Sequence, residues 1–423
     1  MRQKRGSFGP RIAYPTIAAA LIALVALACR FSPDAQQTAE PQGFLPLTEM
    51  ANITPPPPPR QSCPVPPGDP ASPRWDETQE AARPLLEYLN EGGAPQEITA
   101  PSGQDLSLAR PDLNGDGLVD LAYTLTDSNG ESIVAPGTML VYLCAQGQYE
   151  LIYTSASSNE LSAPEVVSSE DLNDDGRQDL LLSQRRWGAH TCTAEVKLLL
   201  LEDGELANRL EGNTDDLPSP SIRIREQPEG PAQIAITATG INSVGAGPFR
   251  PFTRIWTWDQ TAEIYRPTGE ERGQTNFRIH ALHDADRAAL RGDYAEASQG
   301  YLQVIQDNSL EGWGDPDQEH QVLAAYARYR LVTTAIQAGA AAQAEERFQE
   351  LQASVSEGSP GQPFLHLAEA FWTTYQQTDS LDQACQSAQA YAASRRTEVL
   401  DPLYFGYANP TYTPEDICPL RGE

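Results

Sequence analysis

The chain has 423 residues, 40% of them hydrophobic, and a formal net charge of −29 at pH 7. This length is sufficient for two or three domains, and the apolar content is sufficient for a packed core. A surface this acidic repels phosphate backbones, which excludes nucleic acid as an expected partner and leaves divalent cations as the natural counter-charge.

Residues 1–28 have the composition of a secretory signal peptide. A basic start, MRQKRGSFGPR, is followed by the apolar run IAYPTIAAALIALVALA. The sequence ALAC then resembles the lipobox of bacterial lipoproteins, with Ala26 where such boxes usually have Leu. The resemblance implies lipidation of Cys29 and a membrane anchor. The alternatives are ordinary signal-peptidase cleavage nearby and an uncleaved anchor. All three place the remaining chain outside the cytoplasm.

Residues 29–72 are predicted to form a disordered, proline-rich stalk. They contain TPPPPPR and the start of CPVPPGDPASPR, and they have no periodic apolar pattern. Consecutive prolines favour polyproline II, which extends about 3.1 Å per residue. We expect a semi-rigid spacer that lifts the folded part off the membrane. A proline-rich ligand for another domain is the alternative.

Residues 73–272 are predicted to form a β domain of repeated units. LVDLAYTL and MLVYLC are rich in strand-forming residues, and AQGQYELIYTS adds a turn and a further strand. DLLLSQRR and AEVKLLLLEDGELANRL repeat this organisation, and a weaker third copy begins at EGPAQIAITATG. A spacing of about 50–60 residues suits a four-stranded antiparallel sheet unit, such as a propeller blade.

Two units carry nearly the same acidic decapeptide. The first acidic loop is DLNGDGLVDL (112–121), and the second acidic loop is DLNDDGRQDL (171–180), 59 residues later. Oxygen ligands at alternating positions around a turn are what Ca²⁺ requires. The predicted ligands are the side chains of Asp112, Asn114, Asp116 and Asp120 with the carbonyl of Leu118, and the side chains of Asp171, Asn173, Asp175 and Asp179 with the carbonyl of Arg177. Ordinary Asp- and Gly-rich turns are the alternative.

Both loops differ from EF-hands. An EF-hand needs a bidentate Glu at position 12, where these loops have Tyr123 and Leu182, and their flanks have strand patterns. The pattern D-x-N-x-D-G-x-x-D-L before a strand resembles the FG-GAP/VCBS-type calcium repeats of integrin-like β-propellers. The resemblance implies structural Ca²⁺ held by the six predicted carboxylates with both asparagines assisting. Because three units cannot close a ring, we expect an incomplete, propeller-like assembly. The third copy, EQPEGPAQI, is expected to bind no metal.

From about residue 278 the hydrophobic period becomes helical, and 275–423 is predicted to be a helical domain. Three segments place a small residue and then aromatic, aliphatic or small residues on one helix face: Ala297, Tyr301 and Val304; Ala344, Phe348 and Leu351; Ala384 and Ala388. The pattern resembles tetratricopeptide (TPR) repeats, with spacings of 47 and 40 residues in place of the usual 34. The resemblance implies a concave surface that binds a protein or peptide. A generic helical bundle is the alternative.

Besides the lipidation candidate, five cysteines remain, and disulfides are expected in an oxidising compartment. Pairing of Cys385 with Cys418 would tie the C-terminal tail to a helix. Cys144 pairs with Cys192, or either takes Cys63 from the stalk. The odd count leaves one cysteine over.

The sequence contains no HExxH, G-x-S-x-G, P-loop or G-x-G-x-x-G motif. His280 and His283 lie near Asp284 and Asp286 and are interpreted as a helix surface, with metal ligation as the alternative. We therefore predict a non-catalytic, calcium-binding scaffold or binding lipoprotein of the bacterial cell envelope, secreted if not lipidated. The alternative is an extracellular carbohydrate-binding or carbohydrate-processing protein with the β domain as its glycan platform. A third hypothesis is an assembly factor for envelope complexes.

Overall fold

The computed structural model describes residues 62–63, 68–73, 81–100, 103–127, 136–155 and 160–420. The predicted signal peptide, Cys29 and most of the predicted stalk lie outside these residues. The chain forms two compact units, which we call the β unit (residues to 240, with 252–271) and the helical unit (241–251, with 272 onward). The segment 241–251, which the sequence places in the β domain, therefore lies in the helical unit.

The β unit contains three four-stranded antiparallel sheets, each with its strands in chain order. The first sheet consists of β1 (Gln104–Ala109), β2 (Leu121–Asp127), β3 (Gly137–Ala145) and β4 (Gln148–Thr154). The second consists of β5 (Glu165–Ser168), β6 (Leu180–Trp187), β7 (Cys192–Glu202) and β8 (Glu205–Asn208). The third consists of β9 (Pro220–Arg225), β10 (Gln233–Ala238), β11 (Phe252–Asp259) and β12 (Ile264–Arg272). The prediction of repeated four-stranded units is confirmed, and the described sheets do not close a propeller.

Each acidic loop joins the first and second strands of its sheet. The first acidic loop precedes β2, the second acidic loop precedes β6, and the third copy lies between β9 and β10. Tyr123 and Leu182, at position 12 of the two loops, lie inside β2 and β6. Both loops therefore lead into strands, as the sequence predicts, and not into the helices of an EF-hand.

The first sheet is covered on both faces. On one face, Ala122 and Val141 belong to a buried cluster with Leu180 and Leu199 of the second sheet. On the other face, the first sheet packs against helix α1 (Ala82–Asn90), which the sequence analysis did not predict. Burial of both faces explains why the first five residues of β2 are all buried and do not alternate.

The helical unit consists of helices joined by short connections. The six longer helices are α2 (Arg278–Arg291), α3 (Tyr294–Gln306), α4 (Pro316–Gln337), α5 (Ala341–Ser354), α6 (Gln362–Thr378) and α7 (Leu381–Ser394), followed by short α8 (Arg396–Val399) and α9 (Pro414–Ile417). Gly292 ends α2 with φ of +83°, a left-handed conformation that glycine adopts without strain. Among the described residues, no helix is both long and apolar enough to cross a membrane.

The small residues of the three helical segments lie in the core. Ala297, Ala344, Ala384 and Ala388 have no exposed surface, and they belong to one cluster that also contains Tyr301 and Phe371. A small side chain at these positions allows neighbouring helices to approach closely. The predicted change from strands to helices near residue 278 is confirmed. Membership of the TPR family stays a prediction.

Candidate metal centre

Side chains of the first acidic loop hydrogen-bond to the loop's own backbone. Asp112 accepts the N–H of Gly115 at 2.9 Å and the N–H of Gly117 at 2.8 Å. Asn114 Oδ1 accepts the N–H of Asp116 at 3.0 Å, and Asn114 Nδ2 donates to Asp116 Oδ2 at 3.0 Å. Such Asx-type bonds are the reason that Asp and Asn favour tight turns, and here they place three predicted ligands on one turn.

The second acidic loop has a similar arrangement, except that its first Asp accepts the N–H of position 5 where Asp112 accepts that of position 4. Asp171 accepts the N–H of Gly176 at 2.8 Å and the N–H of Asp175 at 3.1 Å. Asn173 Oδ1 accepts the same Asp175 N–H at 3.2 Å, and Asn173 Nδ2 donates to Asp175 Oδ2 at 3.1 Å. Two sheets therefore carry the same oxygen-rich turn at equivalent connections.

The two loops differ in charge at position 7. Arg177 of the second loop donates from Nη2 to Asp175 at 2.6 Å and from Nη1 to the carbonyl of Leu201 at 3.0 Å. Partial burial raises the pKa of Asp175, but hydrogen bonds led by those from Arg177 outweigh burial and hold the pKa below its usual value. The first loop has Leu118 at this position. The second loop thus contains a cation of its own, and the first does not.

Position 9 of each loop is a buried carboxyl group. Asp120 has no exposed surface and accepts the N–H groups of Leu113 and Cys144, each at 2.7 Å. Asp179 is 2% exposed and accepts the N–H of Leu172 at 3.0 Å. Burial and, to a smaller extent, nearby loop carboxylates outweigh the backbone hydrogen bonds and raise the pKa of Asp120 to about 6 and that of Asp179 to about 7. Each loop therefore contains a carboxyl group that titrates close to neutral pH.

The two loops are hydrogen-bonded to each other. The N–H of Asp112 donates to Gln178 Oε1 at 2.7 Å, and the N–H of Gln178 donates to the carbonyl of Asp112 at 3.0 Å. Gln178 was not among the predicted site residues, because nothing in a local pattern shows that a position 8 side chain reaches the other loop. The bridge joins the first sheet to the second at the candidate centre.

Replacing Gln178 with alanine is expected to lower the free energy of unfolding by about 1–2 kcal/mol, because the N–H of Asp112 loses its acceptor. Urea unfolding of the full chain measures the loss. Gln227→Ala is the matched control, since Gln227 is exposed in the corresponding connection of the third sheet. Equal stability of the two variants would show that the bridge contributes nothing.

The third sheet is bonded to the second acidic loop. The Tyr265 hydroxyl, which is fully buried, lies 2.5 Å from the carbonyl of Leu172 and 2.9 Å from that of Ala232. The N–H of Ala232 also donates to the carbonyl of Leu172 at 2.9 Å. The third copy lacks the carboxylates of the two acidic loops. It is held against the second acidic loop by hydrogen bonds to backbone carbonyls.

The donor chemistry of the loops suits Ca²⁺, which prefers carboxylate, amide and carbonyl oxygens. In the described part of the chain, no group of three or more His, Cys, Asp or Glu side chains is placed to hold a metal ion. The loop oxygens accept backbone N–H groups instead. Calcium binding by the ten predicted ligands therefore stays a prediction.

The disulfides differ in part from the expected ones. Cys385 pairs with Cys418, as predicted. Cys144 pairs with Cys63, the stalk alternative, and not with Cys192. Cys192 is fully buried and also disulfide-bonded, so no cysteine among the described residues is free. The expectation of one unpaired cysteine is therefore wrong for these five.

The interpretation of His280 and His283 as a helix surface is wrong. They are 2% and 6% exposed in α2. His280 Nδ1 lies 2.8 Å from the Thr275 hydroxyl, and its Nε2 lies 3.1 Å from the carbonyl of Pro248. His283 Nε2 has no hydrogen-bond partner among the described residues. Burial lowers the pKa of both histidines, to about 3 for His283, so both are neutral at pH 7.

A second buried polar cluster lies in the helical unit and was not predicted. Arg330 in α4 has a side chain only 1% exposed; its Nε lies 3.4 Å from Asp286, and its Nη1 donates to the carbonyl of Asp416 at 2.8 Å. Asp286 also accepts the hydroxyls of Tyr301 at 2.6 Å and Tyr412 at 2.5 Å. The available signal was the pair of arginines, Arg328 and Arg330, inside the mostly apolar run 322–336 of α4.

In comparisons with known proteins, no family model matches the chain and no curated protein matches it.

Proposed function

We propose that this protein is a non-catalytic binding or scaffolding protein of the bacterial cell envelope, with structural Ca²⁺ in the β unit and a protein or peptide partner on the helical unit. The observation that carries the proposal is the pair of acidic loops, which share the bond from the position 6 N–H to the position 1 carboxylate at equivalent connections and contact each other through Gln178. Oxygen-rich turns at a junction between two sheets are suited to a structural cation. The envelope location rests on the N-terminal sequence pattern.

A groove on the helical unit supports partner binding. Two cavities of about 330 and 400 Å³ share Ile305, Arg328 and Ser354 among their lining residues, so they form a continuous depression along α3, α4 and α5. Within the described residues, Arg328 makes no hydrogen bond or ion pair, and the charge that acts on it is that of Glu350, which also lines the groove. A half-buried, unpaired guanidinium favours a partner that presents a carboxylate or backbone carbonyl groups.

Adding Ca²⁺ is expected to raise the free energy of unfolding of the β unit. At about 10 mM Ca²⁺ and a Kd of about 10⁻⁴ M, one site contributes about 2.7 kcal/mol. Thermal unfolding of the full chain with Ca²⁺, with Mg²⁺ and with neither measures the effect. Asp116→Ala and Asp175→Ala should each remove part of it. The larger loss is expected for Asp116→Ala, because Arg177 already neutralises Asp175.

Glu229→Ala is the matched control, because Glu229 is an exposed acid in the third connection. It should retain the whole Ca²⁺ effect. If Ca²⁺ leaves the wild-type melting curve unchanged, the calcium part of the proposal is wrong.

A further inference from the structure

A cavity of about 310 Å³ lies in the helical unit against the C-terminal segment. Its walls include Arg272, His283, Arg287, Leu290, Tyr412 and Pro419. This volume lies at the lower end of the range for small-molecule sites. It is separate from the groove around Arg328, with which it shares no lining residue.

His283, one of the residues that line the cavity, has a buried ring nitrogen without a hydrogen-bond partner among the described residues. His283 is 6% exposed, and its imidazole lies between the rings of His280 and Tyr412, with centroids 6.2 and 6.0 Å away. Its Nε2 makes no hydrogen bond among the described residues, whereas both ring nitrogens of His280 have partners. A buried polar atom left unpaired is destabilising. A bound molecule with a hydrogen-bonding oxygen would remove this penalty.

Positive charge is concentrated at the part of the cavity wall formed by Arg272 and Arg287, and Arg250 lies near Arg287. Arg287 donates to Asp284, but Asp284 also accepts from Arg250 at 2.6 Å. One carboxylate therefore serves two guanidinium groups. Burial, together with the charges of Arg272 and Arg250, lowers the pKa of Arg287. In a protein with a net charge of −29, this grouping is a local site that attracts an anion.

The two acidic residues that line the cavity already accept hydrogen bonds from other groups of the protein. Asp286 accepts from Tyr301, Tyr412 and the buried Arg330. Asp416 accepts from the N–H and hydroxyl of Thr413 at the start of α9, at 2.8 and 2.9 Å. Because both carboxylates are engaged within the protein, neither offers a free partner to Arg287.

We propose that this cavity binds a small carboxylate that carries a compact apolar group. The carboxylate pairs with Arg287 and accepts a hydrogen bond from the neutral His283 imidazole, and the apolar group packs on Leu290 and Pro419. Free organic acids and the C-terminal residue of a peptide both have this chemistry. The inference goes beyond the proposed function, because it involves neither the acidic loops nor the groove around Arg328.

Calorimetric titration of the full chain tests the proposal with two probes, phenylacetate and N-acetyl-glycyl-phenylalanine, and with the amides of both. We expect saturable binding of at least one carboxylate and none of the amides. Preference for phenylacetate identifies a free acid as the ligand, and preference for the dipeptide identifies a peptide C-terminus. Absence of binding by both carboxylates up to about 10 mM, a concentration well above a millimolar Kd, overturns the proposal, as does equal binding of the amides.

Arg287→Gln should weaken binding by at least about tenfold, because a hydrogen bond to a charged group contributes about 1.5–3 kcal/mol. Arg395→Gln is the control, since Arg395 is exposed and its one ion pair within the described residues is with Glu398. Unchanged affinity in the Arg287 variant overturns the proposed pairing.

A second measurement does not depend on any variant folding. In long-range ¹H–¹⁵N spectra of the histidine rings, the probe should shift His283 Nε2 and leave His280 in place, because the His280 nitrogens are already bonded. An unmoved His283 signal at saturating probe would place the ligand elsewhere. This measurement does not depend on Ca²⁺ binding by the acidic loops. The carboxylate proposal and the calcium proposal can therefore be disproved independently of each other.

Discussion

Replacement of Asp286 with alanine is expected to lower the free energy of unfolding of the helical unit by about 3–5 kcal/mol, because it leaves a buried charge unpaired. The Arg330 side chain is 1% exposed, and Asp286 is its carboxylate partner, 3.4 Å away. The variant also removes the acceptor of the Tyr301 and Tyr412 hydroxyls. The other bonds of Arg330, to carbonyls and to tyrosine hydroxyls, carry no full negative charge and do not replace the carboxylate.

Urea unfolding of the full chain, monitored by the helical circular-dichroism signal, measures this loss. Glu350→Ala is the matched control, because it breaks the exposed ion pair with Arg347, and such pairs contribute about 0–1 kcal/mol. The loss of stability for Asp286→Asn should lie between those of Asp286→Ala and Glu350→Ala, since asparagine keeps an acceptor oxygen but no charge. A loss below about 1 kcal/mol for Asp286→Ala would refute the view that this pair holds α2, α4 and the tail together.

Acidification from pH 7.5 to pH 5 is expected to stabilise the β unit in Ca²⁺-free buffer. The folded-state pKa is about 6 for Asp120 and about 7 for Asp179, and both exceed the ordinary value of 3.8. Between these values the folded state binds more protons than the unfolded state, so stability falls as pH rises through the window. The gain over this range is about 1 kcal/mol from Asp120 and about 2–3 kcal/mol from Asp179.

Chemical unfolding at several pH values tests this expectation. Asp179→Asn should remove the larger part of the pH dependence, because asparagine keeps an acceptor oxygen for the N–H of Leu172 but does not titrate. Asp203→Asn, in an exposed turn, should leave the dependence unchanged. A wild-type protein that is equally stable at pH 5 and pH 7.5, or an Asp179 variant with the wild-type slope, would disprove the role assigned to these carboxyl groups. Ca²⁺ should weaken the dependence, because a cation favours the ionised forms.

The sequence by itself determined the order of strands and helices and the place of both acidic loops. Strand-forming runs and a helical period after residue 278 predicted three β units and a helical region, because these patterns reflect the geometry of the local backbone. The spacing of Asp112, Asn114 and Asp116 predicted an oxygen-rich turn, whereas the bonds of these oxygens to the loop's own backbone were found in the structure. The helix α1 was missed, since its short apolar stripe lies in a region whose other patterns indicate strands.

Only the tertiary structure decided which distant residues meet. The pairing of Cys144 with Cys63, the bridge from Gln178 to the first acidic loop and the burial of His283 have no signature in local periodicity. Asp286 and Tyr412 bond across 126 positions of the chain. Such contacts depend on how whole elements pack, and the same residue types at the same spacing are equally compatible with an exposed helix face. The positions of the two acidic loops thus followed from the sequence. The hydrogen bonds that join the two loops, and the cavity in the helical unit, followed from packing.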